Sequence, residues 1–374
     1  MPIKLIAFFS LYGLLAVSCA HAEISNVFKY DAANSTSELV NDGGASCPKT
    51  IVTPYFGHLL LKSKYDQSDP SKSTLKSSPD KVTLEIKSHI DKYTRSLSAY
   101  SDYAVKYAAE ESYREKNIKL GLSCHSKALS AWANSNALLT DEATMNGKAV
   151  RKWALSVIAS TTLKLRALTE NEYKLTFLQK IWLDKLAKKV VDDYTPRLDP
   201  GFKYFNNHDY WAGWAVAATG TVLENRDYVR WGLSIYERSL TQIELVDGTP
   251  YGYLPTEIAR KSLAANYTHF AITPLVMINV LANRNNYSIS DPDGKFDKLV
   301  NFSASLLLNE SSASDILQYD QKDVPPYKAL WVLPYLSVYE DKVYPARLYE
   351  KYKSQMDEES YSMIGGYISL FYIK

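Results

Sequence analysis

The chain has 374 residues, 46% of them hydrophobic and 13% aromatic, which is enough to bury a large core and too apolar for a disordered or fibrous state. Its 43 basic residues against 41 acidic ones give a net charge of +2, a balance that excludes a strongly basic nucleic-acid binder. A polyanionic ligand stays possible, because a cleft can gather positive charge that the remaining surface cancels.

The first segment, residues 1–22, carries Lys4, an apolar run from Leu5 to Val17 and the small-x-small closure Ala20-His21-Ala22, the pattern of a signal peptide cleaved before Glu23. Lipidation at Cys19 is the weaker reading, since Ala16 stands where a lipobox usually has Leu. No later run reaches the ~18 apolar residues needed to cross a bilayer. We therefore expect residues 23–374 to be one exported domain, periplasmic or secreted, monomeric and free of the membrane. Cleavage leaves two cysteines, Cys47 and Cys124, in an oxidising compartment, and the even pair predicts a disulfide. Closing so long a loop contributes about 4.5 kcal/mol on the chain-entropy model.

From Glu23 to Pro79 the sequence is rich in Ser, Asp, Lys and Gly without an apolar period, and reads as an extended arm and a long loop. Helical spacing begins after Pro79: Val82, Ile86, Ile90, Tyr93, Leu97, Tyr100, Ala104 and Tyr107 share one face. Further stripes run through Val150-Trp153-Ala154-Val157-Ile158, through Phe177-Ile181-Leu186-Val190, and over 209–223, 227–244, 256–283, 295–308, 326–340 and 345–356. Alternating runs are lacking beyond Val82, and Asp247-Gly248 falls between helical stripes, so the predicted fold class is all-α. The stripes alone fit a helical bundle as well as an α/α toroid.

Three places combine polar groups with aromatics: Lys62 to Tyr65, Asn206 to Trp211, and Gly252 to Glu257 with Arg260, Lys261 and Tyr267. In the last, Pro255 suits a first helical turn, and Arg260 and Tyr267 stand two turns apart on nearly one face of a continuous helix. The plain alternatives are a helix-capping His208 and an Arg260 that merely pairs with Glu257. The abundance of Tyr (29) and Trp (7) beside cations suits an acidic sugar chain, with rings covering pyranose faces and cations holding carboxylates. The histidines show no metal-ligand spacing, and Asp291 to Gly294 is a turn, shorter than a calcium loop; we expect no metal and no cofactor.

The order of these motifs resembles the alginate lyases of polysaccharide lyase family five. The resemblance lies in Ser63 to Asp69 with Ser71, Lys72, Thr74 and Leu75, in Arg151 to Leu155, in Asn206-Asn207-His208 with Tyr210-Trp211, and in Gly252 to Glu257 with Arg260, Tyr267, Ala271 and Pro274-Leu275. Ser46-Cys47-Pro48 and Cys124 with Ser130 to Ala133 also fall in register, so the likeness spans about 45–340. It implies an incomplete α/α toroid with a deep groove and a long N-terminal lid loop at about 60–80. It implies Asn207, His208, Arg260 and Tyr267 as the catalytic group and Lys64 reaching in from the lid. Tyr65, Trp153, Tyr210, Trp211 and Tyr253 are the expected sugar-binding aromatics. Departures from the family pattern are Thr268, often His, Asp209, commonly Ser, and a longer stretch between His208 and Arg260.

The implied reaction is β-elimination on a 1,4-linked, mannuronate-rich polyuronate: H5 is removed, the C4 oxygen is expelled, and a 4,5-unsaturated end remains. Proton loss adds a second negative charge at the carboxylate, which Asn207, Arg260 and Lys64 are suited to hold. A phenolate at Tyr267 would need a neighbouring cation, Arg260 or a charged His208. Either Tyr267 moves the proton both ways, or His208 is the base and Tyr267 the acid. Other readings are a lyase for a different polyuronate such as polyglucuronate, an exported protein that only binds acidic polysaccharide, and a hydrolase using Glu257 and Asp209 as paired carboxylates.

Overall fold

The computed structural model describes residues 23–30, 46–106 and 114–372; the expected leader lies outside the described residues, as does Tyr107. The chain runs through α1 (Lys81–Lys106), α2 (Arg114–Asn134), α3 (Met145–Leu168), α4 (Phe177–Tyr194), α5 (Asn207–Leu223) and α6 (Arg226–Thr241). After them come β1 (Glu244–Leu245), β2 (Gly252–Tyr253), α7 (Pro255–Ile258), α8 (Ala264–Arg284), α9 (Lys295–Leu308), α10 (Ser311–Ser314), α11 (Val332–Leu336) and α12 (Val343–Met356). Helices α1, α3, α5 and α8 are successive neighbours, backed by α2, α4, α6 and α9. This alternation of inner and outer helices makes the expected incomplete α/α toroid.

Local chemistry explains the helix starts. Thr144 caps α3 by accepting from the Gly147 amide, and Thr176 with Gln179 forms a capping box on α4. Asn206 and Asp209 do the same on α5. Helix α5 buries nearly all its surface, and Ala212, Gly213, Ala215, Ala217 and Ala218 let it lie close to its neighbours. On α1 the stripe from Ile90 to Ala104 is buried as its spacing requires, but Val82 is exposed, because the first turn projects beyond the helices that would cover it. Gly147 is required by crowding: a Cβ there would collide with the Leu59 carbonyl oxygen, where the arm crosses the start of α3.

Four features differ from the periodicity reading, one being the stripe over 326–340, which is a 3-10 turn (Pro326–Ala329) followed by the short α11. α2 is a full helix whose inward positions, Cys124, His125, Ala128, Leu129 and Trp132, mix polar and apolar groups and so blur its stripe. Asp247-Gly248 does turn a strand pair: β1 and β2 are antiparallel, Glu244 opposite Tyr253, with Gly248 at φ +70°. The stripe over 256–283 is two helices, broken where Lys261 takes a left-handed φ of +53°. Cys47 and Cys124 are disulfide-bonded, Cα–Cα 5.7 Å, which ties the arm to α2.

Candidate active site

Asn207 and His208 occupy the first turn of α5, and the break before α8 brings Arg260 and Tyr267 to face them. The buried carboxylate of Glu257 receives the Asn207 backbone N–H at 3.0 Å and its side-chain amide at 2.8 Å, locking Asn207 to α7. Arg260, released from a regular helix by the turn at Lys261, lays its guanidinium 4.6 Å from the Tyr267 ring centroid. Asp209 is buried and accepts from Arg197 Nη2 at 2.7 Å and from the Asn206 amide at 2.8 Å, which holds the start of α5 in place.

Residues 64–76 form a hairpin over this group. Tyr65 pairs with Leu75, and the Asp66 amide donates to the Thr74 carbonyl at 2.9 Å. Its tip is organised by Asp69, whose carboxylate accepts from the amides of Ser71, Ser73 and Thr74 and from the Ser71 hydroxyl at 2.6 Å. Three contacts close it on the site: Tyr65 Oη lies 2.6 Å from Tyr267 Oη, Arg260 Nη1 donates to the Ser71 carbonyl at 3.4 Å, and Lys261 Nζ is 3.9 Å from Asp69.

Electrostatics differ from the sequence expectation. Burial, then the Tyr65 hydroxyl, raise Tyr267 above its ordinary pKa, and the opposing pull of Arg260 is too small to reverse this. His208 is pushed well below its usual value by burial and then by Lys152, Arg197 and Arg260. Both shifts run against a charged His208 supporting a phenolate: they favour the neutral imidazole and the protonated phenol. Burial also raises Glu257, against the pull of Arg260 and the Asn207 hydrogen bonds.

Of the expected sugar-binding groups, Tyr65 is in the site, and Trp153 lies beside His208 with ring centroids 5.6 Å apart. Lys64 is exposed on the hairpin, its Nζ 5.0 Å from the Tyr65 ring. Tyr210 and Trp211 are fully buried, hydrogen-bonded to Gln242 and to the Phe270 carbonyl, and support the site from behind. For Tyr210 the reason is helical phase, since two positions after His208 the side chain turns away from the groove; Trp211 is enclosed instead by Phe270 and Tyr361, ring centroids 5.2 and 5.9 Å away. Tyr253 hydrogen-bonds Glu244 at 2.9 Å and lines an adjoining cleft of about 370 Å³ with Lys261 and Tyr319.

Two lysines went unnoticed as site residues. Lys152 is completely buried behind His208. Lys328 holds the Asn266 carbonyl at 3.2 Å, lies 5.1 Å from the Phe270 ring, and is brought down to about 8 by burial and then by Lys64. Lys152 stands in the Arg151 to Leu155 motif, which was a usable signal; Lys328 had none. Glu257 and Asp209, the carboxylates a hydrolase would need, are both fully buried and bonded within the protein. Among the described residues no group of His, Cys, Asp and Glu is arranged to hold a metal ion, and no helix is long and apolar enough to cross a membrane.

The alginate lyase family model matches residues 60–313. The chain is 29% identical over 308 residues to an alginate lyase of Azotobacter chroococcum mcd 1, covering 80% of this chain and 78% of that one. To an alginate lyase of Azotobacter vinelandii it is 30% identical over 307 residues, covering 79% and 76%. Among solved structures, alginate lyase A1-III from Sphingomonas species A1 superposes with a TM-score of 0.62 at 17% identity, over 91% of this chain and 88% of that one. A histidine-to-alanine variant of alginate lyase A1-III complexed with tetrasaccharide gives 0.64 at 17% identity, with the same coverage. At that identity the likeness speaks for the fold.

Proposed function

The chain belongs to the alginate lyase family, and from that premise we propose that this polysaccharide lyase cleaves mannuronate-rich alginate by β-elimination, as a monomer exported to the periplasm or beyond. The observation that carries the reading is the meeting of Tyr267, Arg260, His208 and Asn207 under the Tyr65 hairpin. The site has hydrogen-bond donors and a guanidinium for a carboxylate, and a titratable hydroxyl for a proton.

In the reaction the C5–H bond breaks, its electron pair forms the C4=C5 double bond, and the C4–O4 bond breaks with a proton delivered to O4. Arg260, Asn207 and His208 hold the uronate carboxylate as it gains charge, and they are already fixed by Glu257, Lys152 and the ends of α5 and α7. Lys64 adds its charge when the hairpin closes on substrate. In mannuronate H5 and O4 lie on one face of the ring, so a single tyrosine can serve both transfers; a phenolate at Tyr267 would be faced by Arg260 and could accept from Tyr65. The alternative gives His208 the first transfer and Tyr267 the second.

The buried, internally bonded Glu257 and Asp209 speak against a hydrolase. The test is a panel of polymannuronate, polyguluronate, polyglucuronate and hyaluronan, each followed by the ultraviolet absorbance of the conjugated unsaturated product. Polymannuronate should give the fastest rise. A rise on polyglucuronate alone would move the substrate to another polyuronate, and oligosaccharide binding without absorbance on any polymer would refute the lyase.

A further inference from the structure

We propose that the cleft beyond the hairpin tip is a subsite for a further uronate of the same polymer, bound away from the reacting centre; the inference rests on the lyase reading above. The cleft, of about 370 Å³, lies between the β1–β2 pair, α7, the break before α8 and the segment that follows α10. That volume falls within the roughly 300–1,000 Å³ of small-molecule sites. It is joined to the catalytic group through consecutive residues. Lys261 lines the cleft and reaches Asp69 at the hairpin tip, while Arg260 reaches the Ser71 carbonyl on the same tip. A polymer that runs past Arg260 on this side meets the cleft next.

The lining has the two-sided chemistry of a pyranose site. Pro255, Ile258 and Leu317 supply apolar surface, and the Tyr319 ring, 51% exposed, supplies an aromatic face. Exposure alone would mean little, but this tyrosine is held in place. Gln321 donates to the Tyr319 carbonyl at 2.6 Å and to the Lys261 carbonyl at 3.0 Å, and accepts from the Ala265 amide at 2.9 Å. The Lys322 amide adds a bond to the Ser262 carbonyl at 2.9 Å. These bonds staple the Tyr319 segment to the break before α8, so the two walls of the cleft are fixed to each other. A platform ordered in advance loses little entropy when a sugar settles on it.

Glu244 and Lys261 are the charged groups of the lining, and they orient the ring. Lys261 is half-exposed and its contact with Asp69 is long, 3.9 Å, so the ammonium has donors left for a second carboxylate. Glu244 accepts from the Tyr253 hydroxyl at 2.9 Å and keeps further acceptor positions for sugar hydroxyls. A uronate satisfies both with its carboxylate toward Lys261 and a hydroxyl edge toward Glu244. The reverse orientation would set two carboxylates against each other. Binding so far from the scissile bond acts on kcat/KM only for chains long enough to reach the cleft.

The test uses the full chain and purified mannuronate oligomers of increasing length, each followed by product absorbance. Tyr319→Ala should leave the shortest cleaved oligomer within about twofold of wild type and lower kcat/KM about tenfold from one length upward, the loss staying constant beyond that step. Tyr319→Phe keeps the ring and should match wild type within about twofold at every length. Calorimetry in a Tyr267→Phe background reads the same contrast without turnover: Tyr319→Ala should weaken only the long oligomers, by about tenfold. An equal loss at all lengths would overturn the proposal, since Tyr319 would then act on the reacting centre or on the fold. No loss at any length would overturn it as well. A length-dependent binding contrast in an enzyme that turns over no polyuronate would refute the lyase reading and leave the subsite standing.

Discussion

Tyr267→Phe deletes one hydroxyl and little else. The ring keeps its seat between the Arg260 guanidinium, 4.6 Å from its centroid, and the edge of Phe270 at 6.4 Å. Only the 2.6 Å hydrogen bond to Tyr65 disappears with the hydroxyl. A neutral hydrogen bond contributes about 0.5–1.5 kcal/mol net, and the half-buried Tyr65 hydroxyl can turn to water instead, so the melting temperature should move by about 4 °C or less. Turnover should respond on another scale. Without a transferable proton kcat should fall by about 10²–10⁴, equivalent to about 3–5 kcal/mol of barrier. The disproportion between a small stability change and a large kinetic one is the diagnostic. Tyr65→Phe is the control: it breaks the same hydrogen bond from the other end but leaves the proton carrier, and kcat should stay within about tenfold of wild type. Initial rates from product absorbance, oligosaccharide binding by calorimetry and melting curves supply the three readouts. Tyr267→Phe retaining more than a tenth of kcat, or Tyr65→Phe proving equally damaging, would refute the assignment of the proton to Tyr267.

Lys64→Ala should lower kcat as well as weaken binding, with a loss that shrinks little as salt is raised, because the closed hairpin would enclose the ion pair; a pure KM effect erased by salt would mark a solvated attracting charge. Reducing Cys47–Cys124 should lower the melting temperature more than it lowers room-temperature activity, since the bond ties the arm to α2 and neither cysteine adjoins the site; equal losses of both would contradict this. Acid should destabilise the fold through its buried histidines. His125 and His269 are held at about 3, mainly by burial, so they stay neutral in the folded chain while the unfolded chain takes up protons below its ordinary value of about 6.5. Their contribution is complete above that value and is lost as pH falls toward 3, by roughly 2 kcal/mol for each at pH 5, which would show as a falling melting temperature between pH 7 and pH 5. A flat melting temperature over that range would refute it.

Much of this molecule is legible in the order of its residues. Apolar spacing marks α1, α6 and α9, because an amphipathic helix has to write its buried face at a fixed period. The cysteine pair follows from counting once the leader is set aside. The motifs around Lys64, His208, Arg260 and Tyr267 name the residues that meet, since each motif is local. Their electrical state is not local. Tyr267 is raised and His208 lowered by the summed burial and charge of groups contributed by the hairpin, α3, the turn after α4, α7 and the break before α8, and no stretch of sequence records that sum. The same holds for Lys152 and Lys328, ordinary lysines in the sequence that become site residues only because α3 and the segment before α11 carry them there. It holds in reverse for Tyr210 and Trp211, whose motif pointed to the groove and whose side chains are enclosed by neighbours in the core. Period and pairing are properties of neighbours along the chain; desolvation and field are properties of neighbours in space, and folding alone chooses those.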